Sequence, residues 1–357
     1  MKISIILGTR PEIIKMSPVI RVCEHLGLDY FVLHTGQHYS YNMDRVFFEE
    51  LALLEPKYNL DVGSGSHAEQ TGRILINIEQ VLQKEKPDVV LVQGDTNTVL
   101  AGALAAVKLG IKVGHVEAGL RSYDRTMPEE INRVLADHSS DYLFAPTEKS
   151  KQILLNEGIA KEKIFVTGNT IVDSVFQNLK ISKTKTDVLS NFGLKGKDYF
   201  LVTLHRQENV DNEERFRRII EGLQTVGKEL DMELIYPIHP RARKRLDEFG
   251  LKLDGIRLID PLDYLSFLQL ESNTRLVLTD SGGVQEETCI LGVPCVTLRD
   301  NTERPETVEV GSNMLAGINP DKILESTQIM LNKKNKWTNP FGDGKAAKKI
   351  IRYINTC

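Results

Sequence analysis

The chain has 357 residues, 41% of them hydrophobic and 26% charged, with a net charge of −4. That length exceeds the about 250–300 residues at which a single core stops growing, so two domains are expected. The acidic balance argues against nucleic acid as a partner, no signal-peptide pattern precedes the first strand, and no apolar run approaches the ~20 residues of a membrane helix, which points to a cytoplasmic globular protein.

Apolar runs alternate with helical patterns from end to end. Residues 2–7, 30–34, 89–93, 113–116, 142–145 and 164–166 read as strands of a first sheet, and residues 199–204, 233–237, 256–259, 276–279 and 295–298 as a second set. Amphipathic helices lie between them. The clearest has Phe216, Ile219, Ile220 and Leu223 on one face, with Asp211 and Glu214 as a start resembling a capping box. Such alternation means parallel sheets covered on both faces. The polar stretch Lys180–Asp187 breaks the pattern and is the best linker between two similar halves. The expected layout is an N-terminal domain over 1–178, joined by a final helix within 345–357, and a C-terminal domain over 188–344. Both would be doubly wound α/β sheets. In these, ligands sit beyond the carboxyl ends of the strands, so a ligand in an interdomain cleft is expected.

The polar residues of interest fall just after these strands. Gly8-Thr9-Arg10-Pro11 follows the first, with Pro11 suited to open a helix. Arg10 and Lys15 would then lie near a helix N-terminus, where cations gain nothing from the dipole and an anionic ligand would resolve the mismatch. Asp95 follows the third strand, where an N-cap is the plainer alternative. Glu117 follows the fourth, where an unpaired carboxylate would be costly and Arg121 is an available salt-bridge partner. Glu129 sits at a helix start, which favours acids for the dipole alone. Each carboxylate has a bland explanation, but three at successive strand ends or helix starts can face one cleft and serve acid–base chemistry.

In the second half His205 and Arg206 follow a strand and suit proton transfer and anion binding. His239 follows another strand and reads better as a structural histidine. The Lys/Arg cluster around Arg241 and Arg245 reads as a solvated helix face. In Leu276–Glu287 a buried strand runs into Ser281-Gly282-Gly283 and a fresh helix that stops at Gly292. Helix-start N–H groups beside glycine make a seat for a diphosphate, with Glu287 placed one turn on to accept hydrogen bonds from a ribose diol. The charged loop Arg299–Glu306 either pairs internally or lets Arg304 reach that diphosphate or an acetamido sugar.

The string Gly63-Ser-Gly-Ser-His-Ala68 lacks a preceding strand and is no dinucleotide fingerprint, and neither a Walker A sequence nor zinc-ligand spacing is present. Cys23, Cys289, Cys295 and Cys357 show no C-x-x-C pair, which fits buried thiols in a reducing compartment. The chain thus offers diphosphate recognition and carboxylates, with no cofactor or metal site.

Together these residues resemble the non-hydrolysing UDP-N-acetylglucosamine 2-epimerases. The matching strings are Gly-Thr-Arg-Pro-Glu (8–12), Gly-Asp-Thr-Asn-Thr (94–98), Gly-His-Val-Glu-Ala-Gly-Leu-Arg (114–121), Pro-Glu-Glu-Ile-Asn-Arg (128–133), Thr-Asp-Ser-Gly-Gly-Val-Gln-Glu-Glu (279–287) and Thr-Glu-Arg-Pro-Glu (302–306). The resemblance implies a GT-B fold, two Rossmann-like domains facing a cleft, a homodimer, and a place in polysaccharide biosynthesis. It also implies interconversion of UDP-GlcNAc and UDP-ManNAc by elimination and readdition of UDP, without a cofactor.

By position it casts Asp95, Glu117, Glu129 and His205 as the acid–base group, and Arg10, Lys15, Ser281, Gly282, Gly283, Glu287 and Arg304 as the ligand-holding set. Pro261–Phe267 resembles the uracil pocket, with Phe267 in its wall and Leu262 acting only through its backbone. Gln37, Arg206 and His239 correspond to an allosteric substrate site, although the segment Gln37–Asn42 departs from the usual family pattern and leaves substrate activation open. The competing readings are a 2-epimerase for a related UDP-2-acetamido sugar such as a diacetamido uronic acid, a GT-B glycosyltransferase, and a nucleotide-sugar-binding regulator without catalysis.

Overall fold

A computed structural model of the protein describes residues 1–36, 41–333 and 336–356, with the backbone alone for 41–44. The described chain forms two compact units, Met1–Gln177 with the chain from Phe341 onward, and Asn178–Pro340. Each is built on a parallel sheet with helical connections, the Rossmann-like pair that the GT-B class combines. No helix among the described residues is long and apolar enough to cross a membrane.

The first unit contains β1 (Lys2–Leu7), α1 (Arg10–His25), β2 (Asp29–His34), α2 (Tyr41–Glu50), β3 (Tyr58–Asn59), α3 (His67–Glu85), β4 (Val89–Gln93), α4 (Asn97–Lys108), β5 (Lys112–Val116), α5 (Pro128–Ser139), β6 (Tyr142–Ala145), α6 (Glu148–Asn156), β7 (Ile164–Val166) and the first part of α7 (Thr170–Lys185). Its seven described strands run in the order β3-β2-β1-β4-β5-β6-β7. The order reverses between β1 and β4, so their C-terminal loops diverge and open a crevice. Val89–Gln93 is buried at every position, as a strand covered on both faces must be. Isoleucine, valine and alanine from α3 and α4 complete this core.

The polar stretch expected as a linker is largely helix. α7 continues to Lys185, because Lys180–Lys185 carries no helix breaker and lysine costs little in an exposed helical turn. Asp173, on α7, accepts the N–H groups of Ala346 and Ala347 at 3.1 Å each and so caps the terminal helix.

The second unit contains α8 (Val188–Asn191), β8 (Phe200–Thr203), α9 (Gln207–Val210), α10 (Glu213–Glu229), β9 (Leu234–Pro237), α11 (Pro240–Glu248), β10 (Ile256–Ile259), α12 (Tyr264–Asn273), β11 (Leu276–Thr279), α13 (Gly282–Leu291), β12 (Cys295–Thr297), α14 (Pro305–Glu309), β13 (Asn313–Leu315) and α15 (Pro320–Asn332). Its sheet order is β10-β9-β8-β11-β12-β13, which places the reversal between β8 and β11.

The amphipathic reading of α10 holds, since Phe216, Ile219, Ile220 and Leu223 are all buried. Its cap does not follow the expectation. Asn212, not Asp211, accepts the Arg215 N–H at 3.1 Å, because Asp211 is drawn to Arg241 and Arg245 of α11. The short strands β3 and β13 had no counterpart in the reading of the sequence. Two or three residues at a sheet edge carry too little periodicity to stand out.

Candidate active site

In the first unit the loops that leave β1 and β4 are stitched together by one side chain. Glu12 lies in the first turn of α1, 2% exposed. Its Oε2 accepts the Gly8 N–H at 2.8 Å, the Thr9 N–H at 2.7 Å and the Thr9 hydroxyl at 2.9 Å, while Oε1 accepts the Thr96 hydroxyl at 2.7 Å. Burial pushes its carboxyl up to about 7, against the pull of Thr96, Gly8 and Thr9. The loops meet so closely that a Cβ on Gly8 would lie 2.1 Å from the Thr98 hydroxyl, so glycine is required there. Sequence reasoning gave Glu12 no role, and the signal was present: a capping box three residues past Thr9.

Arg10 opens α1 as an exposed cation, stacked 4.1 Å from the Phe47 ring centre. Lys15 is not poised at the helix start. It reaches back to Glu117, with Nζ 2.8 and 2.7 Å from the two carboxylate oxygens. Gln93 donates to the same carboxylate at 3.1 Å. Arg121, weighed as the partner of Glu117, instead binds Asp137 at 2.7 Å and Glu157 at 2.6 Å. The anion that meets Lys15 is thus a carboxylate of the same unit. Glu117 itself adopts φ of +72°, a left-handed conformation that costs a non-glycine residue of order 1–3 kcal/mol. Its N–H and that of Ala118 both donate to the Phe144 carbonyl, at 3.1 and 3.2 Å, which holds the kink in place.

Asp95 is not an N-cap, because Thr96 fills that position on α4. Its carboxylate instead pairs with Arg133, which also meets Glu130 at 3.1 Å. Gln93 and Val116 are register partners on β4 and β5, so Asp95 and Glu117 leave adjacent strands almost level. Glu129 is exposed, while its neighbour Glu130 is buried and accepts the N–H groups of Ser122 and Tyr123 at 2.8 and 3.0 Å. Asp95 and Glu129 share a cavity of about 290 Å³ with His67, Gln70, Asn97 and Asn132, whereas Glu117 is not in its wall. Of the Gly63–Ala68 string, Gly63–Ser66 is loop as expected, while His67 and Ala68 open α3 behind the cap Ser66, and Ser64, Gly65 and His67 line the same cavity. Arg133 was missed although it closes the Pro-Glu-Glu-Ile-Asn-Arg string. A cation one turn past an acid reads first as ordinary helix pairing.

The second unit places its polar turn at the β8/β11 reversal. Ser281 caps α13 and its N–H bonds the Thr279 hydroxyl at 2.9 Å. Neither Gly282 nor Gly283 has a positive φ, and a Cβ on either would meet nothing closer than 3.7 Å. The fold does not demand glycine here. The first turn of α13 lies at the positive end of the helix dipole, with the Val284 N–H taken by the Ser281 hydroxyl. Gly292 ends the helix in the left-handed conformation, φ 76°, as the sequence predicted.

Asp280, fully buried, sets the facing turn. It accepts the His205 N–H at 3.1 Å and the Arg206 N–H at 3.0 Å, and lies 3.2 Å from His205 Nδ1. An acid at the end of an apolar strand was the available signal for it. His205 remains 44% exposed. Arg206 lies 3.6 Å from Glu303, and the Arg304 Nε 2.9 Å from Glu286. The charged loop does pair within itself, Arg299 meeting Glu303 at 2.6 Å. Glu287, 8% exposed, accepts the Tyr264 hydroxyl at 2.9 Å.

Leu262 and Phe267 pack beside the same β-sheet cluster, half-buried. His239 accepts the Arg241 N–H at 3.2 Å through Nδ1 and so caps α11. Burial, with His205 and Arg241 nearby, lowers its pKa. Arg241 and Arg245 are not simply solvated, since both hold Asp211. Cys23, Cys289 and Cys295 are buried thiols, while Gln37 and Cys357 lie outside the described residues.

Comparison with known proteins places this geometry. A family model described as UDP-N-acetylglucosamine 2-epimerase matches residues 21–355. A UDP-N-acetylglucosamine 2-epimerase from Methanocaldococcus jannaschii is 62% identical over 361 residues, covering 99% of each chain. A UDP-2,3-diacetamido-2,3-dideoxy-D-glucuronate 2-epimerase from Pseudomonas aeruginosa is 44% identical, with 99% of each chain covered. A crystal structure of the M. jannaschii UDP-GlcNAc 2-epimerase in complex with UDP-GlcNAc and UDP superposes with a TM-score of 0.88 at 62% identity, over 100% of both chains. With its parallel sheets, glycine turn and strand-end carboxylates, the chain belongs to the UDP-N-acetylglucosamine 2-epimerase family.

Proposed function

We propose that the protein interconverts UDP-GlcNAc and UDP-ManNAc by eliminating UDP and adding it back. The observation that carries this reading is the near-full-length likeness to an epimerase solved with UDP-GlcNAc and UDP. The glycine turn of α13 supports it from the side of the seat.

The chemistry requires little beyond what these residues offer. The C2 hydrogen has no adjacent carbonyl to acidify it. Breaking the C1–O bond leaves the electron pair on UDP and a cation-like centre at C1, so loss of the C2 proton to a carboxylate yields a glucal. Protonation at C2 from the other face and return of UDP to C1 invert the centre. Asp95, Glu117, Glu129 and His205 form the acid–base group. The first turn of α13, with Ser281, Gly282 and Gly283, holds the departing diphosphate. Glu287 binds the ribose, the Leu262 backbone and Phe267 the uracil, and Arg10 and Arg304 supply charge. Lys15 acts through Glu117, which it orients. Arg206 and His239, with Gln37, belong to a second substrate site that tunes the first. The enzyme works in the cytoplasm as a homodimer and feeds polysaccharide biosynthesis.

A second reading is favoured by one observation, the 44% identity to an epimerase of a diacetamido glucuronate. Incubation of the protein with each nucleotide sugar in deuterium oxide separates the two. UDP-ManNAc carrying deuterium at C2 is the expected product from UDP-GlcNAc. Turnover of the uronate alone would move the assignment to the second reading. Release of free UDP with a sugar–acceptor product would point to a transferase.

A further inference from the structure

His115 sits on β5 two residues before Glu117 and is 1% exposed. Its Nδ1 lies 2.6 Å from Asp137 Oδ1 and its Nε2 lies 2.8 Å from the Gly94 carbonyl oxygen. A carbonyl only accepts, so Nε2 carries a proton. Asp137 takes the Arg121 guanidinium at 2.7 Å and the Gly119 N–H at 3.2 Å on its other oxygen. A carboxyl so surrounded is ionised, and Nδ1 must donate to it as well. Both ring nitrogens are therefore donors, and the ring is an imidazolium. Arg121 also meets Glu157 at 2.6 Å, a carboxylate 27% exposed that lies 3.7 Å from His138, so at the buried end His115 and Arg121 share Asp137. The Arg121 and Asp137 side chains are 1% and 0% exposed there.

The two ends of this couple flank the carboxylates. The Gly94 carbonyl precedes Asp95, and the Gly119 N–H follows Glu117 by two residues. We propose that His115 is a positioning residue for proton transfer, its imidazolium binding the loop that carries Asp95 and, through Asp137, the turn that carries Glu117 into one frame. The inference rests on the proposed roles of Asp95 and Glu117.

The charged groups that face the ring are Asp137 from α5, and Glu117 and Arg121 from the connection between β5 and α5, with Glu157 behind Arg121. Burial alone lowers the His115 pKa, but the charge and hydrogen bond of Asp137, the Gly94 carbonyl and Glu117 together raise it above its ordinary value. The Asp137 pKa is lowered in turn, burial being outweighed by His115 and Arg121. The frame is thus intact below the raised His115 value and is lost as pH rises through it.

The test uses the full chain and UDP-GlcNAc in deuterium oxide. His115→Gln is expected to lower kcat for C2 exchange by on the order of 10²-fold, the cost of slight misplacement of reacting groups. The KM and the UDP Kd should stay within about threefold, the pattern of a loss confined to the transition state. The wild type is expected to lose kcat on the alkaline side, and the variant should lack that fall. An unchanged kcat, or equal losses in kcat and UDP affinity, would overturn the role. Should the variant not fold, nitrogen NMR of the wild type decides. Two protonated His115 nitrogens at neutral pH, titrating with the alkaline limb, support the frame, and a neutral ring in the active enzyme defeats it. A wild type that puts no deuterium at C2 removes the underlying reading, and this outcome is seen before any variant is made.

Discussion

The two sheets reverse their strand order at equivalent places, yet the loops there are built from opposite materials. At the β1/β4 reversal and at the end of β5 beside it the first unit sets carboxylates, each held by a partner distant in sequence: Glu12 by Thr96, Asp95 by Arg133, and Glu117 after β5 by Lys15. At the β8/β11 reversal the second unit presents backbone, a glycine turn and a helix start, with the buried carboxylate of Asp280 gripping the facing turn from behind and those of Glu286 and Glu287 further along α13. One fold thus serves two purposes. Carboxylates held on fixed partners suit acid–base work, and helix-start N–H groups suit a diphosphate.

The largest effect is expected where a buried pair is broken. Lys15→Met leaves Glu117, 7% exposed in its side chain, without its ammonium. Loss of one partner of such a pair costs about 3–5 kcal/mol, so urea unfolding should shift markedly. Adding Glu117→Gln should restore much of the loss; no restoration would mean that Lys15 matters for reasons other than this pair. Next comes the turn of α13. Gly282→Val should weaken UDP binding about 10–100-fold, the loss of one or two charge-assisted hydrogen bonds of about 1.5–3 kcal/mol. Calorimetry checks this, and near-normal affinity would show that the turn does not take the diphosphate. Glu287→Gln should weaken UDP by about tenfold but 2′-deoxy-UDP by less, since a carboxylate to one ribose hydroxyl is worth of that order. Equal losses would remove Glu287 from the ribose.

Glu12 gives a pH-shaped effect. Its folded pKa of about 7 stands above the ordinary 4.5, so the folded state binds more protons and this group's contribution to stability falls as pH rises between those values. The difference in unfolding free energy between wild type and Glu12→Gln should change across that window and be level outside it. A level difference throughout would mean the carboxyl is not perturbed. Smallest of all, Arg243→Ala removes an exposed pair with Asp260, whose side chain is 92% exposed, and should move stability by less than about 0.5 kcal/mol.

The same contrast explains what could be read from the chain. The seat of the second unit is local: strand, Ser281-Gly282-Gly283, helix and Gly292 follow one another within 17 residues of sequence, from Leu276 to Gly292, and every signal points the same way. The parallel sheets were legible for a similar reason, since fully buried strands leave continuous apolar runs. The first unit's arrangement is not local. Lys15 and Glu117 are 102 positions apart, and no spacing rule reports such a pair. Arg121 looked like the partner of Glu117 because it was near in sequence, while the left-handed kink at Glu117 sends the two side chains to different neighbours. At Asp211 a good capping residue lost its helix to two arginines from α11, a tertiary competition that propensity does not contain. The polar run after Lys180 failed as a loop signal because polarity without glycine or proline does not stop a helix.

The division of labour is tested most directly by Glu117→Gln, measured for deuterium entry at C2 of UDP-GlcNAc and for UDP affinity on the same preparation. The substitution keeps the shape of the side chain and removes its ability to take a proton. C2 exchange should fall by at least about 10²-fold, within the range of general acid–base catalysis, while the UDP Kd stays within about threefold. Parallel losses in exchange and affinity, or undiminished exchange, would contradict it.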